Sequence, residues 1–120
     1  MIDHLSLRVS DLARSKRFFA SALAPLGYSV LMGDESSAGL GTARPDFWIG
    51  QGAAAGGPTH VCFSAASRAM VDAFHKAALA AGGRDNGAPG VRTQYHPTYY
   101  GAFVLDPDGN NIEAVCHLPA

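Results

Sequence analysis

The chain has 120 residues, 48% of them hydrophobic and 16% charged, which suits one compact domain burying about two-thirds of its unfolded surface. Nine Lys and Arg against ten Asp and Glu leave a formal net charge of −1, with no basic stripe or acidic tail, so neither nucleic acid nor a membrane is an expected partner. No apolar stretch nears the roughly 20 residues of a spanning helix, residues 1–4 carry no signal-like region, and Cys62 and Cys116 are too few to staple a secreted fold; a cytoplasmic location is expected.

The chain repeats itself when His4 is placed on His60. Residues 4–9 then fall on 60–65, Phe18 on Phe74, Leu23 on Leu79 and Gly27 on Gly83. The order of features repeats as well: a strand led by His, a cap, an amphipathic helix, a glycine stop. In the first copy Leu5, Leu7 and Val9 alternate with His4, Ser6 and Arg8, as in a half-buried strand. Asp11 can cap a helix running towards Leu23, with Leu12, Phe19 and Leu23 near one face. Short strands are expected at about 28–32, 37–41 and 46–50. The Gly/Ala-rich stretch 50–58 has a connector's composition.

In the second copy Val61 and Phe63 oppose His60, Cys62 and Ser64, and Ser67 can cap a helix with Val71, Phe74 and Ala78 as its apolar stripe. Gly82-Gly83 ends it. A weak strand near 84–86, a long loop over 87–98 and a hairpin of 99–105 with 111–117 follow. The hairpin turns at Asp106-Pro107-Asp108-Gly109-Asn110, read as a well-made turn rather than a metal loop. The fold expected is α+β: a single domain of two tandem βαβββ modules, about 1–52 and 58–120. They would form a cupped, mostly antiparallel sheet, with helices outside and polar strand faces lining the concavity.

Glu113 is one of only two glutamates, in an otherwise apolar strand. Alternation turns Ile112, Ala114 and Cys116 to the helices and Glu113, Val115 and His117 to the opposite face, shared with His4 and His60. A carboxylate in apolar company is costly unless it is paired or coordinates a cation. His4, His60 and Glu113 are therefore candidate ligands of a divalent metal that keeps open positions for water or a chelating substrate. Taken singly, each has a structural alternative: a hydrogen-bonded strand histidine, or a glutamate that faces water or pairs with Arg8.

Residues 2–5 (Ile-Asp-His-Leu), the strand-to-helix turn at 9–15, Thr59-His60-Val61 and the tail from Tyr100 to Glu113 together resemble the vicinal oxygen chelate superfamily. That family includes glyoxalase I, extradiol dioxygenases, and fosfomycin and bleomycin resistance proteins. The resemblance implies paired βαβββ modules, usually in a homodimer, with metal ligands falling on His4, His60 and Glu113. Glyoxalase I has a fourth ligand on the last strand of its first module. Here that position matches Trp48, so a three-ligand site, as in the fosfomycin transferases or extradiol dioxygenases, is the nearer likeness. Nothing selects among Mn, Fe, Ni or Zn.

Tyr95, His96, Tyr99 and Tyr100 crowd one loop with Arg92. Tyr99, Tyr100 and His96 are candidate proton donors or acceptors, and Arg92 and Tyr95 candidate substrate contacts; the alternative is an aromatic cluster packing the loop. Trp48 can fill the core, the commoner role for such a residue, or floor the pocket. Arg8 and Ser6, on the inner face, can bind an anion. His117 is expected in a supporting or surface role, His75 exposed, and Cys62 a small buried thiol. The function expected is a small metal-dependent enzyme of glyoxalase or dioxygenase type, whose cation takes vicinal oxygens of a small-molecule substrate. The alternative is a non-catalytic small-molecule binder for sequestration or resistance.

Overall fold

A computed structural model describes residues 1–53 and 58–120; the middle of the expected connector, residues 54–57, lies outside the described residues. The first unit begins with β1 (Leu5–Val9). The Asp11 side chain then accepts the Arg14 backbone N–H at 3.1 Å and starts α1 (Leu12–Ala22). Leu12, Ser15, Phe18, Phe19 and Ala22 form its buried stripe. A short 3₁₀ turn, Ala24–Leu26, stops at Gly27, whose φ of +87° suits glycine. Strands β2 (Ser29–Gly33), β3 (Ser37–Gly41) and β4 (Pro45–Gln51) complete the unit.

The second unit repeats the plan. After β5 (His60–Ser64) the Ser67 hydroxyl accepts the Met70 N–H at 3.2 Å and caps α2 (Arg68–Ala80). Strands β6 (Arg84–Val91), β7 (Tyr100–Leu105) and β8 (Asn111–Cys116) follow. The turn between β7 and β8 is built as its residues dictate. Asp106 accepts the backbone N–H groups of Asp108 at 3.0 Å and Asn110 at 2.8 Å, and Gly109 takes φ +85°.

Each unit forms its own open four-stranded sheet, ordered β1-β4-β3-β2 and β5-β8-β7-β6. In both, the first and last strands of the unit pair in parallel and the other neighbours are antiparallel. The helices cover one face. The main departure from the sequence pattern is β6, expected to span 84–86 but extending to Val91. Its register shifts around Gly87, and Pro and Gly hide any alternation. The loop expected over 87–98 shortens to the segment between β6 and β7.

One buried cluster draws on both units. An aromatic seam crosses it: Phe19 meets Phe47 at 5.0 Å, Phe47 meets Phe63 at 5.2 Å, and Tyr28 meets Phe63 at 5.5 Å, all edge-on. A polar clasp adds a second link. Asp108, in the turn of the second unit, accepts the Ser10 backbone N–H at 3.1 Å, the Ser10 hydroxyl, and Arg14 Nη2 at 3.3 Å, all at the start of α1. No helix among the described residues is long and apolar enough to cross a membrane. Asp108→Ala is expected to cost about 1–2 kcal/mol, since charge-assisted bonds are lost at a partly solvated site. Urea denaturation of parent and variant checks this; an unchanged midpoint refutes the clasp.

Candidate functional site

In the second unit, the parallel pairing of β5 and β8 sets Cys62 opposite Glu113 and His60 opposite Asn111. His60 Nε2 donates diagonally to Glu113 Oε1 at 2.9 Å, and the Tyr99 hydroxyl donates to Oε2. Glu113 is only 2% exposed, whereas the His60 side chain is 53% exposed. The carboxylate is thus withdrawn from water and satisfied by two donors, one of them open to solvent. Gly101 makes the arrangement possible. A Cβ there would lie 3.1 Å from the Tyr99 ring and 3.3 Å from Glu113 Oε2. Partial burial and the adjoining Glu113 carboxylate raise the Tyr99 pKa, so the phenol keeps its proton.

Cys62 stands on this same face and is exposed, which corrects the expectation of a buried thiol; Cys116 is the buried one. Alternation makes this unavoidable, because the neighbours Val61 and Phe63 take the core side. Crowding around the sulfur and the Glu113 carboxylate push the Cys62 thiol up to about 12. His75, expected exposed, is largely covered instead: its side chain is 13% exposed and Nε2 donates to Asp85 Oδ1 at 3.0 Å.

The loop between β6 and β7 is closed by its backbone, Arg92 N–H donating to Tyr99 C=O at 2.7 Å. Tyr95 packs on Tyr99 with centroids 4.8 Å apart, and His96 lies edge-on to it at 5.3 Å. Thr98 N–H donates to His96 Nδ1 at 3.2 Å, which leaves the His96 proton on Nε2, pointed at His117 Nδ1 2.6 Å away. Arg92 spends its guanidinium on the carbonyls of Ala88, Gly90 and Gly101, and its Cζ lies 4.9 Å from the Phe103 ring centre. Tyr100 takes the helix side of β7. Its hydroxyl donates to Asp72 Oδ1 at 2.6 Å and its ring underlies Arg68. The structure therefore gathers Tyr99, Tyr95 and His96 beside Glu113, commits Arg92 to the loop, and leaves Tyr100 on the other face.

His4 is placed elsewhere, just before β1 on the sheet of the first unit. Its Nδ1 donates to Asp3 Oδ1 at 2.8 Å, a bond that holds the Asp3 carboxyl below the usual range. With Ser6, Arg8 and Trp48 it lines an open cavity of about 350 Å³. A second cavity of about 360 Å³ shares His4 and Trp48 and adds Asp3, Arg44 and Pro45. Trp48 is half-buried and faces these cavities rather than filling the core. Register confirms its equivalence to Glu113: Ser6 opposes Trp48 as Cys62 opposes Glu113. Among the described residues, no group of three or more His, Cys, Asp or Glu side chains could hold one ion. Gly101 and Asp3 stand in the family-like stretches of the sequence with no role read for either, the first signalled only by a glycine inside a strand, the second by an acid beside a histidine.

Two outcomes follow for this cluster. Cys62 is expected to alkylate at pH 8 at least about tenfold more slowly than a free thiol of ordinary pKa, despite its exposure, and to speed up in Glu113→Gln; iodoacetamide labelling with peptide mass mapping measures both. Because folding raises the Tyr99 pKa above its usual 10, the unfolded chain loses that proton first, so stability declines as pH rises past 10. Tyr99→Phe removes this contribution, and its urea midpoint should fall less steeply with alkaline pH than the parent's. Equal slopes would refute the Tyr99–Glu113 bond.

Comparison with known proteins places this geometry in context. The family model described as Glyoxalase/Bleomycin resistance protein/Dioxygenase superfamily matches residues 1–114. A glyoxalase/bleomycin resistance protein from Albidiferax ferrireducens T118 superposes with a TM-score of 0.82 at 29% identity, covering 97% of this chain and 98% of that one. A glyoxalase/bleomycin resistance protein/dioxygenase family enzyme from Burkholderia phytofirmans PsJN gives 0.76 at 20% identity, covering 98% of each chain. The lactoylglutathione lyase from Agrobacterium tumefaciens gives 0.72 at 19% identity, covering 97% of this chain and 92% of that one. A comparison with curated proteins found no match. With the family model spanning nearly the whole chain and the paired βαβββ sheets in place, this protein belongs to the glyoxalase/bleomycin resistance/dioxygenase superfamily.

Proposed function

We propose that this protein is a small metal-dependent enzyme of glyoxalase or dioxygenase type, acting in the cytoplasm on a small molecule that offers two adjacent oxygens. The observation that carries the reading is the pairing of a buried carboxylate, Glu113, with the solvent-facing imidazole of His60. One chain fits a divalent cation only in part, since it brings these two donors together and leaves His4 on the other sheet. We assign the third position to His4 of a second copy. Two-fold pairing would set the first unit of each chain against the second unit of the other and create two equivalent sites. His4 suits the role: donation from Nδ1 to Asp3 leaves the Nε2 lone pair free.

The imidazole and carboxylate donors accept Mn, Fe, Ni or Zn. When bound, such a cation polarises the oxygens it takes. The chain's own part is to hold Glu113 in place through Tyr99, whose retained proton at the phenol oxygen can pass to a substrate oxygen that gains charge. Tyr95 and His96 border that phenol. A binder without turnover is the second reading, favoured by one fact: both oxygens of Glu113 already have partners in the chain.

Elemental analysis after dialysis against each metal tests the site. His4→Ala, His60→Ala and Glu113→Gln should each lose bound metal while remaining folded by circular dichroism, His60→Ala with a lower melting temperature because it leaves one Glu113 oxygen without its donor. Mixing His4→Ala with Glu113→Gln chains should restore occupancy in mixed dimers, because one of their two sites is then intact. Full occupancy in any single variant, or no recovery on mixing, refutes the shared triad. Metal-loaded protein should then show chelator-sensitive turnover of catechols, vicinal diols, α-keto thiol adducts or phosphonates.

A further inference from the structure

We propose that the cavity beside Trp48 selects flat organic anions, with Trp48 as the stacking surface and Arg8 as the counter-charge. This deepens the reading above and rests on it for the claim that the sheet face turned away from the helices holds the substrate.

Four observations converge on this ligand class. The cavity, about 350 Å³, has the size of a small organic ligand, and no acidic residue lines it. Trp48 lies over the backbone of β3: a Cβ on Gly39 would come within 2.9 Å of ring atoms Cε2 and Cη2. A glycine is thus required beneath the indole, and the ring is fixed as a wall of both neighbouring cavities.

Arg8 projects from the same face, its stem running past Gly52, where a Cβ would lie 3.5 Å from Arg8 Cδ. Among the described residues it makes no ion pair and no side-chain hydrogen bond. By contrast, Arg14 is held by Asp108, Arg44 by Asp3, and Arg92 by three carbonyls. A guanidinium in a cavity free of carboxylates gives a negative ligand a partner without first breaking a bond. Ser6 lines the same wall and adds a hydroxyl donor.

Gln51 supplies rigidity rather than recognition. Its amide is fixed at both ends, accepting the Leu12 N–H at 2.8 Å and donating to the Ser10 carbonyl at 2.7 Å. This ties the cavity edge to the start of α1, so the Arg8 side of the wall is preorganised.

Trp48 is the only tryptophan in the chain, so its emission reports binding in either cavity that it walls, and the Arg8 variants tell which one is filled. The full-length protein, without metal, is titrated with benzoate, phenylphosphonate, benzamide and cyclohexanecarboxylate, and the titration is repeated on His60→Ala. Saturable changes are expected with benzoate and phenylphosphonate. Benzamide, which is flat but neutral, and cyclohexanecarboxylate, which is charged but not flat, should bind at least about tenfold more weakly. Arg8→Gln should bring benzoate down to the benzamide level, and Arg8→Lys should recover part of the difference. The proposal is overturned if neither anion gives a saturable response, if benzamide binds as well as benzoate, or if Arg8→Gln changes nothing. Anion binding that survives in His60→Ala, whatever the metal result, separates this cavity from the proposed metal site. Metal uptake without anion selectivity leaves the proposed function standing and removes only the ligand class.

Discussion

A carboxylate removed from water must find donors at fixed positions, and Glu113 is the point at which this chain meets that demand. Its strand pairs in parallel with β5, which delivers the His60 imidazole across the sheet, while the hairpin partner β7 leads back to the Tyr99 phenol. The glycine at 101 leaves space for the Tyr99 ring and for the carboxylate itself. The closed loop before β7 and the rings of His96 and His117 border Tyr99 where it reaches the carboxylate. Without His60 and Tyr99, Glu113 would be a buried charge with no partner, a cost that small domains rarely absorb.

The two sheets share one pattern and carry different chemistry at matching positions. Where the second unit places Glu113 opposite Cys62, the first places Trp48 opposite Ser6. One unit therefore offers an ionisable cluster wrapped in aromatic rings, and the other a walled cavity lined by basic and hydroxyl groups. The repeated backbone plan gives each the same strand order; the side chains make the two halves not interchangeable.

Much of this was legible in the residues. The caps at Asp11 and Ser67, the glycine stops, the aspartate-proline turn and the inward facing of Glu113 each follow from local rules that a single segment obeys alone. Two kinds of fact were not legible. The extent of β6 depends on pairing with β7 through register shifts that proline and glycine conceal. The separation of His4 from His60 depends on how two sheets are set apart in space, which alternation within a strand says nothing about. Tyr100 shows the boundary: alternation along an expected strand over 99–105 sets the two tyrosines on opposite faces, but only the packed sheet shows that Tyr99 reaches Glu113 and Tyr100 reaches Asp72.

The seam of phenylalanines and the hold of Asp108 on Ser10 have a consequence for how the polypeptide can be divided. Half the edge-on ring contacts that line the shared interior cross from one repeat to the other, so neither repeat possesses a finished interior by itself. Severing the backbone between the repeats should leave two pieces that each expose apolar rings, yet carry complementary surfaces for one another. Such pieces are suited to reassemble by fragment complementation.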